Sequence, residues 1–245
     1  MPTASPNLRI LHLNDLHGHF ESTHVSRVQS FFDGPTLAFD TGDAIKAGNL
    51  ALPLKREAVW SLLAQIPLDA GTIGNRETHV LAAAFEAKIA GASHPLLCAN
   101  LKRRSDGSSV LPGSLIIEKG GWRVGVFGVS VAMVTEKMAT RVASAYIWDD
   151  PLATAATVAR ALRSSVDVLI GLTHIGFAKD RLLAERVPEI DLILGGHSHT
   201  VLEQPERVGG TWICQGGSHA RFLGVYDFDP RSKRLTGGLE PVRGA

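Results

Sequence analysis

The chain has 245 residues, enough for one large α/β domain with a substantial core and short for two. Apolar residues make up 44% of it and charged residues 20%, which excludes a chain too polar to fold. The 25 basic and 24 acidic residues leave a formal charge of +1 with no basic run, which argues against a nucleic-acid or membrane surface built on charge.

The first apolar run, residues 8–13, reads as a buried strand. Asn14-Asp15 breaks it far too early for a signal peptide or a membrane span, so the chain as written is expected in the cytoplasm. Further short runs rich in Val, Ile and Leu, bounded by Gly, Asp or Asn, predict strands over 36–39, 70–73, 95–99, 122–129, 166–173 and 191–194. Helical patterns fall between them at 23–32, 54–65, 77–90, 151–164 and 179–186. Asp150 before Pro151 is an N-cap with proline at the first helical position, so Asp149 and Asp150 are caps rather than catalytic carboxylates. After Thr211 the pattern changes to runs at 212–214 and 222–228 with a Gly-rich tail, expected as antiparallel strands. The sum is an α/β domain, residues 1–245 in one piece, doubly wound early and a β-meander at its end. Cys98 and Cys214 lie far apart in apolar runs, as buried free thiols do.

Five strand-like runs end in polar clusters: Asn14-Asp15-Leu16-His17, Asp40-Thr41-Gly42-Asp43, Gly74-Asn75-Arg76-Glu77, Thr173-His174 and Gly195-Gly196-His197-Ser198-His199. In open α/β sheets the carboxyl ends of strands form the ligand crevice, so these clusters can meet in space. Asp15, His17, Asp43, Asn75, His174, His197 and His199 make an oxygen and nitrogen donor set without thiolate, suited to Mn²⁺, Fe²⁺ or Zn²⁺. Seven donors are too many for one ion, and Asp43, with two oxygens, can be shared between two. Two dications carry four positive charges and the two aspartates cancel only two, so a phosphate dianion is the complementary ligand.

The ordered set of D-x-H, G-D, G-N, T-H and G-H-x-H resembles the calcineurin-like metallophosphoesterases, over about residues 8–228. Asn14-Asp15-Leu16-His17-Gly18-His19 and Gly195-Gly196-His197-Ser198-His199-Thr200 resemble the catalytic domain of the 5′-nucleotidase branch. The resemblance implies a four-layer αββα sandwich and two divalent ions, manganese, iron or zinc. It places Asp15, His17, Asp43 and His199 on one ion and Asp43, Asn75, His174 and His197 on the other. It implies hydrolysis of a small phosphorylated substrate, a phosphomonoester, nucleotide or phosphodiester, by a metal-activated hydroxide.

The pattern breaks after Asn75, where most relatives carry a histidine thought to protonate the leaving oxygen; here the residue is Arg76. A guanidinium clamps phosphate but donates protons poorly. The partner aspartate of the 5′-nucleotidase branch is replaced by His79. His79, expected on the first turn of the helix over 77–90, and His219, after a Gly-Gly turn, are the candidates to supply the missing acid. If neither does, the chain is a metal-containing module that binds phosphate or nucleotide with little turnover. The resemblance does not extend to the base-binding C-terminal domain of 5′-nucleotidases, so nucleoside recognition is not expected to carry over. Asp40 is either a ligand-orienting carboxylate or a turn residue, Glu77 and Glu136 receive no acid or base role, and His12, His24 and His94 are structural.

Overall fold

The computed structural model describes residues 7–52 and 55–242. Its strands in chain order are β1 (Leu8–Leu13), β2 (Thr36–Asp40), β3 (Ala70–Thr72), β4 (Leu96–Leu97), β5 (Leu101–Arg103), β6 (Ser114–Lys119), β7 (Trp122–Ser130), β8 (Tyr146–Trp148), β9 (Val168–His174), β10 (Leu192–Gly195), β11 (Glu206–Val208), β12 (Thr211–Cys214), β13 (Phe222–Asp229) and β14 (Arg234–Pro241). The helices are α1 (Ser22–Gln29), α2 (Ala58–Leu63), α3 (Ala82–Ile89), α4 (Pro151–Arg163) and α5 (Phe177–Arg186).

Two six-stranded sheets carry the fold, ordered β14-β13-β1-β2-β3-β4 and β11-β12-β10-β9-β7-β6, with β5 and β8 paired apart from them. Alternation along each strand decides the layering. Leu8 and Ile10 of β1 face Val168, Ile170 and Leu192 of the other sheet in one shared core, while Leu11 and Leu13 pack with Val25, Val28 and Trp60 beneath α1 and α2. On the far side, Leu169 and Ile193 pack with Ala155, Ala159 and Leu183 of α4 and α5. The four layers α, β, β, α follow, as the resemblance implies. The neighbours β1-β2-β3-β4 and β7-β9-β10-β12 run parallel within their sheets, so their carboxyl ends gather at one edge of each.

Three local expectations need correction. The pattern at 212–214 predicts part of an antiparallel meander; β12 does pair antiparallel with β11, and β13 with β14, but β12 also pairs parallel with β10, and the hairpin β13-β14 belongs to the other sheet. The helix expected over 77–90 begins only at Ala82, because Glu77 turns its carboxylate inward and His79 Nδ1 accepts the Leu81 amide at 2.9 Å just ahead of the first turn. The helix expected over 54–65 starts at Leu54, outside the described residues, and is observed as Ala58–Leu63. The cap is as read: Asp150 accepts the Ala153 amide at 2.8 Å and Pro151 opens α4. Cys98 and Cys214 are buried free thiols.

Candidate metal centre

All seven candidate ligands lie on the turns that follow β1, β2, β3 and β10 or, for His174, at the end of β9. These turns are tight enough to force unusual backbone. Asp15, His17, Asp43, His197 and His199 have φ of 50°, 50°, 54°, 76° and 53°, a left-handed conformation that non-glycine residues adopt at a cost. Two glycines let the turns interlock: a Cβ at Gly42 would sit 2.3 Å from the Gly74 amide nitrogen, and one at Gly74 would sit 2.2 Å from Asp43 Oδ1.

Hydrogen bonds hold the carboxylates with one edge turned inward. Asp15 Oδ2 accepts the Asn14 side-chain amide and the His197 backbone amide, each at 2.9 Å. That leaves Asp15 Oδ1 facing His199 Nε2 at 3.3 Å and His17 Nε2 at 3.7 Å, while the two imidazole nitrogens are 2.8 Å apart. Across the site Asn75 Oδ1 lies 2.9 Å from His197 Nδ1 and 3.3 Å from His174 Nε2. Asp43 spans the two groups: Oδ1 is 3.6 Å from His174 Nε2, and Oδ2 is 4.0 Å from His17 Nδ1.

These donors fit divalent ions. Ligands about 2.1 Å from one ion lie about 3–3.4 Å from each other, close to the separations seen here. Asp15, His17 and His199 form one such cluster and Asp15, Asp43 and His174 a second, each with donor atoms within 4.8 Å of one another. Asp15 Oδ1 is buried without a hydrogen-bond partner among the described residues, a costly state for a carboxylate oxygen unless a cation is its partner. Burial pulls the His17 pKa down to about 4, so its ring is neutral and its lone pair is free. Burial opposes protonation of His174 as well, but Asp43, Asp15 and the Thr41 carbonyl overcome it and hold the pKa up to about 9. An acid-rich pocket that keeps a buried imidazole charged has the electrostatics of a cation site.

The ligand turns are braced from behind by residues to which sequence reasoning assigns no function. Glu77, fully buried, accepts the amides of Gly74, Asp43 and Ile45 at 2.8, 2.9 and 3.2 Å and so ties the β2 turn to the β3 turn. Its signal in the sequence is its place beside Asn75-Arg76. Lys88 is also fully buried, and its Nζ donates to the carbonyls of Arg76, Gly48, Thr78 and Asn49 at 2.8, 2.9, 2.9 and 3.0 Å. Asn49 in turn accepts the Asn75 side-chain amide at 2.9 Å, so Lys88 supports a candidate ligand through one intermediary. Asp180 accepts the Thr173 hydroxyl and the Gln215 amide, each at 2.7 Å, and Gln215 accepts the Ser198 hydroxyl at 2.9 Å. That chain joins the residue before His174 to the residue between His197 and His199.

The remaining sequence candidates separate. Arg76 is half-buried, donates Nη1 to the Lys46 carbonyl at 2.9 Å, and its charge reaches His17 and His219. His219 stands at the site, its ring centroid 5.0 Å from His17 and 5.9 Å from His199, with Nδ1 2.8 Å from the Ser218 hydroxyl. His19, to which the sequence assigns no role, lies against it at 4.7 Å. His79 instead serves the start of α3. Asp40 is buried, and neither of its carboxylate oxygens has a hydrogen-bond partner among the described residues; burial first and then Glu77 push its carboxyl well above the usual range. His12 meets the Thr41 hydroxyl at 3.0 Å, His24 accepts the Glu21 amide at 3.0 Å, and Glu136 pairs with Arg141 at the surface, as structural residues do.

Comparison with known proteins agrees with this architecture. The chain is 29% identical over 238 residues to the metallophosphoesterase YunD of Bacillus subtilis (strain 168), covering 90% of this chain and 49% of that protein. The 5′-nucleotidase precursor of Thermus thermophilus superimposes with a TM-score of 0.78 at 21% identity, over 96% of this chain and 54% of the other. The calcineurin-like phosphoesterase YfkN structure of Bacillus subtilis superimposes at 0.76 with 21% identity, over 97% and 91%. The chain spans about half the length of most of the curated relatives it matches. Among the described residues no helix is long and apolar enough to cross a membrane. Residues 8–201 match the family profile described as calcineurin-like phosphoesterase, most of the chain, and the chain therefore belongs to that family, whose members depend on divalent metal ions.

Proposed function

We propose that the chain hydrolyses phosphoester bonds of a small phosphorylated substrate with two divalent ions, Asp15, His17, Asp43 and His199 holding one and Asp43, Asn75, His174 and His197 the other. The observation that carries this reading is the gathering of seven candidate donors from five strand ends at one place, where Asp43 lies between the two groups with Oδ2 toward His17 and Oδ1 toward His174. Bound there, the ions would polarise a phosphoryl oxygen and activate a water. The chain's own part is to fix geometry and charge. Asn14 and the His197 amide hold Asp15 Oδ2 so that Oδ1 faces the site. The Arg76 amide holds Asp43 Oδ1 at 2.7 Å, and the Arg76 guanidinium supplies positive charge for the phosphoryl oxygens. His219, beside His17 and His199, is the residue assigned to protonate the leaving oxygen, and His79 is not.

The test is hydrolysis by metal-stripped protein reloaded with Mn²⁺, using 4-nitrophenyl phosphate, bis(4-nitrophenyl) phosphate and a nucleoside monophosphate. Turnover that disappears in Asp43→Ala supports the reading. Two bound ions without turnover of any of the three would leave a phosphate-binding module. Loss of turnover on the nucleoside monophosphate in His219→Ala but not in His79→Ala supports the acid assignment, and equal rates in both reject it.

A further inference from the structure

Beside the metal centre the structure holds a second feature with the character of a ligand site. The loops after β1 and β2 are zipped together: the His17 amide donates to the Asp43 carbonyl and the Gly18 amide to the Ala44 carbonyl, each at 2.8 Å. Gly18, with φ of 72°, permits the close approach, since a Cβ there would lie 2.6 Å from Lys46 Cβ. These two residues form one wall of a cleft of about 570 Å³. Gly18 directly follows His17, and the carbonyl of Lys46 receives the Arg76 guanidinium, so the wall is shared with the phosphoryl end of the site.

The cleft is two-sided in chemistry. Phe20, Ala47, Ala58 and Val59 give it an apolar floor, and Lys46, Lys55 and Arg56 stand exposed at its edge. Its acid, Glu57, is already engaged: its carboxylate accepts the Lys46 and Ala47 amides at 3.0 and 3.2 Å, and its charge acts on buried Lys88. Among the described residues no carboxylate lies within ion-pair distance of Lys46, Lys55 or Arg56. Three such cations over an apolar floor complement an amphiphilic anion, and the volume suits a small ring system.

We propose that this cleft is a leaving-group subsite, selecting phosphoesters whose leaving group is an apolar ring carrying a second anionic group. The proposal rests on the phosphoesterase reading above and deepens it by naming the substrate class. With the phosphoryl group at the metal centre beside Arg76, the ring lies across the Gly18–Lys46 wall on Phe20 and Val59. The second anion then meets Lys55 and Arg56. Hydrolysis releases inorganic phosphate and an anionic phenol-like product.

Phenyl phosphate and 3-carboxyphenyl phosphate test this with the Mn²⁺-loaded protein, because they differ in the second anion and little in leaving-group chemistry. The expected result is a kcat/KM at least about fivefold higher for the carboxylated ester, carried by KM, the factor one or two partly exposed ion pairs supply. In the double variant Lys55→Ala/Arg56→Ala the ratio falls to near one. A ratio near one in the parent protein, or a ratio unchanged by the double variant, overturns the proposal. Calorimetric binding of 3-carboxyphenyl phosphate separates it from the parent reading. If neither ester is hydrolysed but the Kd rises about fivefold in the double variant, the cleft stands and only the hydrolase reading falls. An equal Kd in the two proteins rejects the cleft whatever the turnover.

Discussion

Replacing Lys88 by methionine keeps the length of the side chain and removes its charge and its donors. In the parent protein the ammonium faces four carbonyl oxygens at 2.8 to 3.0 Å and is fully buried. Methionine leaves all four without that donor. The carbonyls of Gly48, Asn49 and Arg76 are only partly buried and can turn to water, whereas that of Thr78 is buried. One stranded acceptor costs about 1–3 kcal/mol, and weaker contacts at the other three add to it. The substitution also lifts the desolvation cost of the ammonium, which offsets part of the loss. A net destabilisation of about 2–3 kcal/mol results, or roughly 5–10 °C in Tm for a domain of this size. Because Asn49 is bonded to Asn75, Mn²⁺ affinity falls with stability. Thermal melts in chelator and a Mn²⁺ titration at low temperature measure the two effects separately. Lys88→Ala should recover both with added propylammonium and neither with propanol. A methionine variant that melts with the parent and binds Mn²⁺ equally would refute the bracing role.

Asp180 is fully buried, and burial, against the pull of Thr173 and Gln215, raises its pKa to about 7. The folded state then holds a proton that the unfolded state has released, so this group's contribution falls as pH rises from about 4 to about 7 and is flat above. Urea midpoints of metal-stripped parent and Asp180→Asn across that window should diverge by an amount bounded at about 4 kcal/mol, and parallel curves would contradict the assignment. In Gly42→Ala the new methyl meets the Gly74 backbone at φ of 89°, so Asp43 and Asn75 are forced apart. The expected loss is more than about 2 kcal/mol of stability together with most Mn²⁺ binding, read by melting and metal titration. On the proposed ligand set, metal binding must displace the proton that His174, with a pKa of about 9, carries in metal-stripped protein. Calorimetric Mn²⁺ binding at pH 7.5 in buffers of different ionisation enthalpy should report close to one released proton, and a buffer-independent enthalpy would exclude it.

The meeting of the seven candidate residues was legible in the sequence because each is a polar residue closing an apolar run, and strand ends converge by topology alone. Asp15, His17, Asp43, Asn75, His174, His197 and His199 all lie at the one site for that reason. The strands with clear apolar runs were legible too, whereas β5, β6, β8, β11 and β14 carry mixed burial or are only three residues long and give little period to read. What stayed hidden was the bracing. Lys88 sits among the alanines and Phe85 of α3, where a lysine ordinarily marks the solvent face, and only the fold brings four carbonyls to it. Asp180 in the first turn of α5 reads as a helix-dipole residue. Glu77 and His79 fall within a stretch, 77–90, that carries helical apolar spacing, but the carboxylate of Glu77 competes for amides that no local pattern reveals.

The left-handed backbone of Asp15, His17, Asp43, His197 and His199 bears on how this protein can be engineered. Each such residue stores about 1–3 kcal/mol that its surroundings must outweigh. Any procedure that ranks substitutions by folding stability alone will therefore be drawn to these positions, as to the left-handed His219, Ala220 and Lys233, and will offer glycine or asparagine as improvements. The variants it selects should fold better and bind metal worse. For this chain, a melting temperature that climbs after unguided optimisation is a warning that the metal centre is being erased.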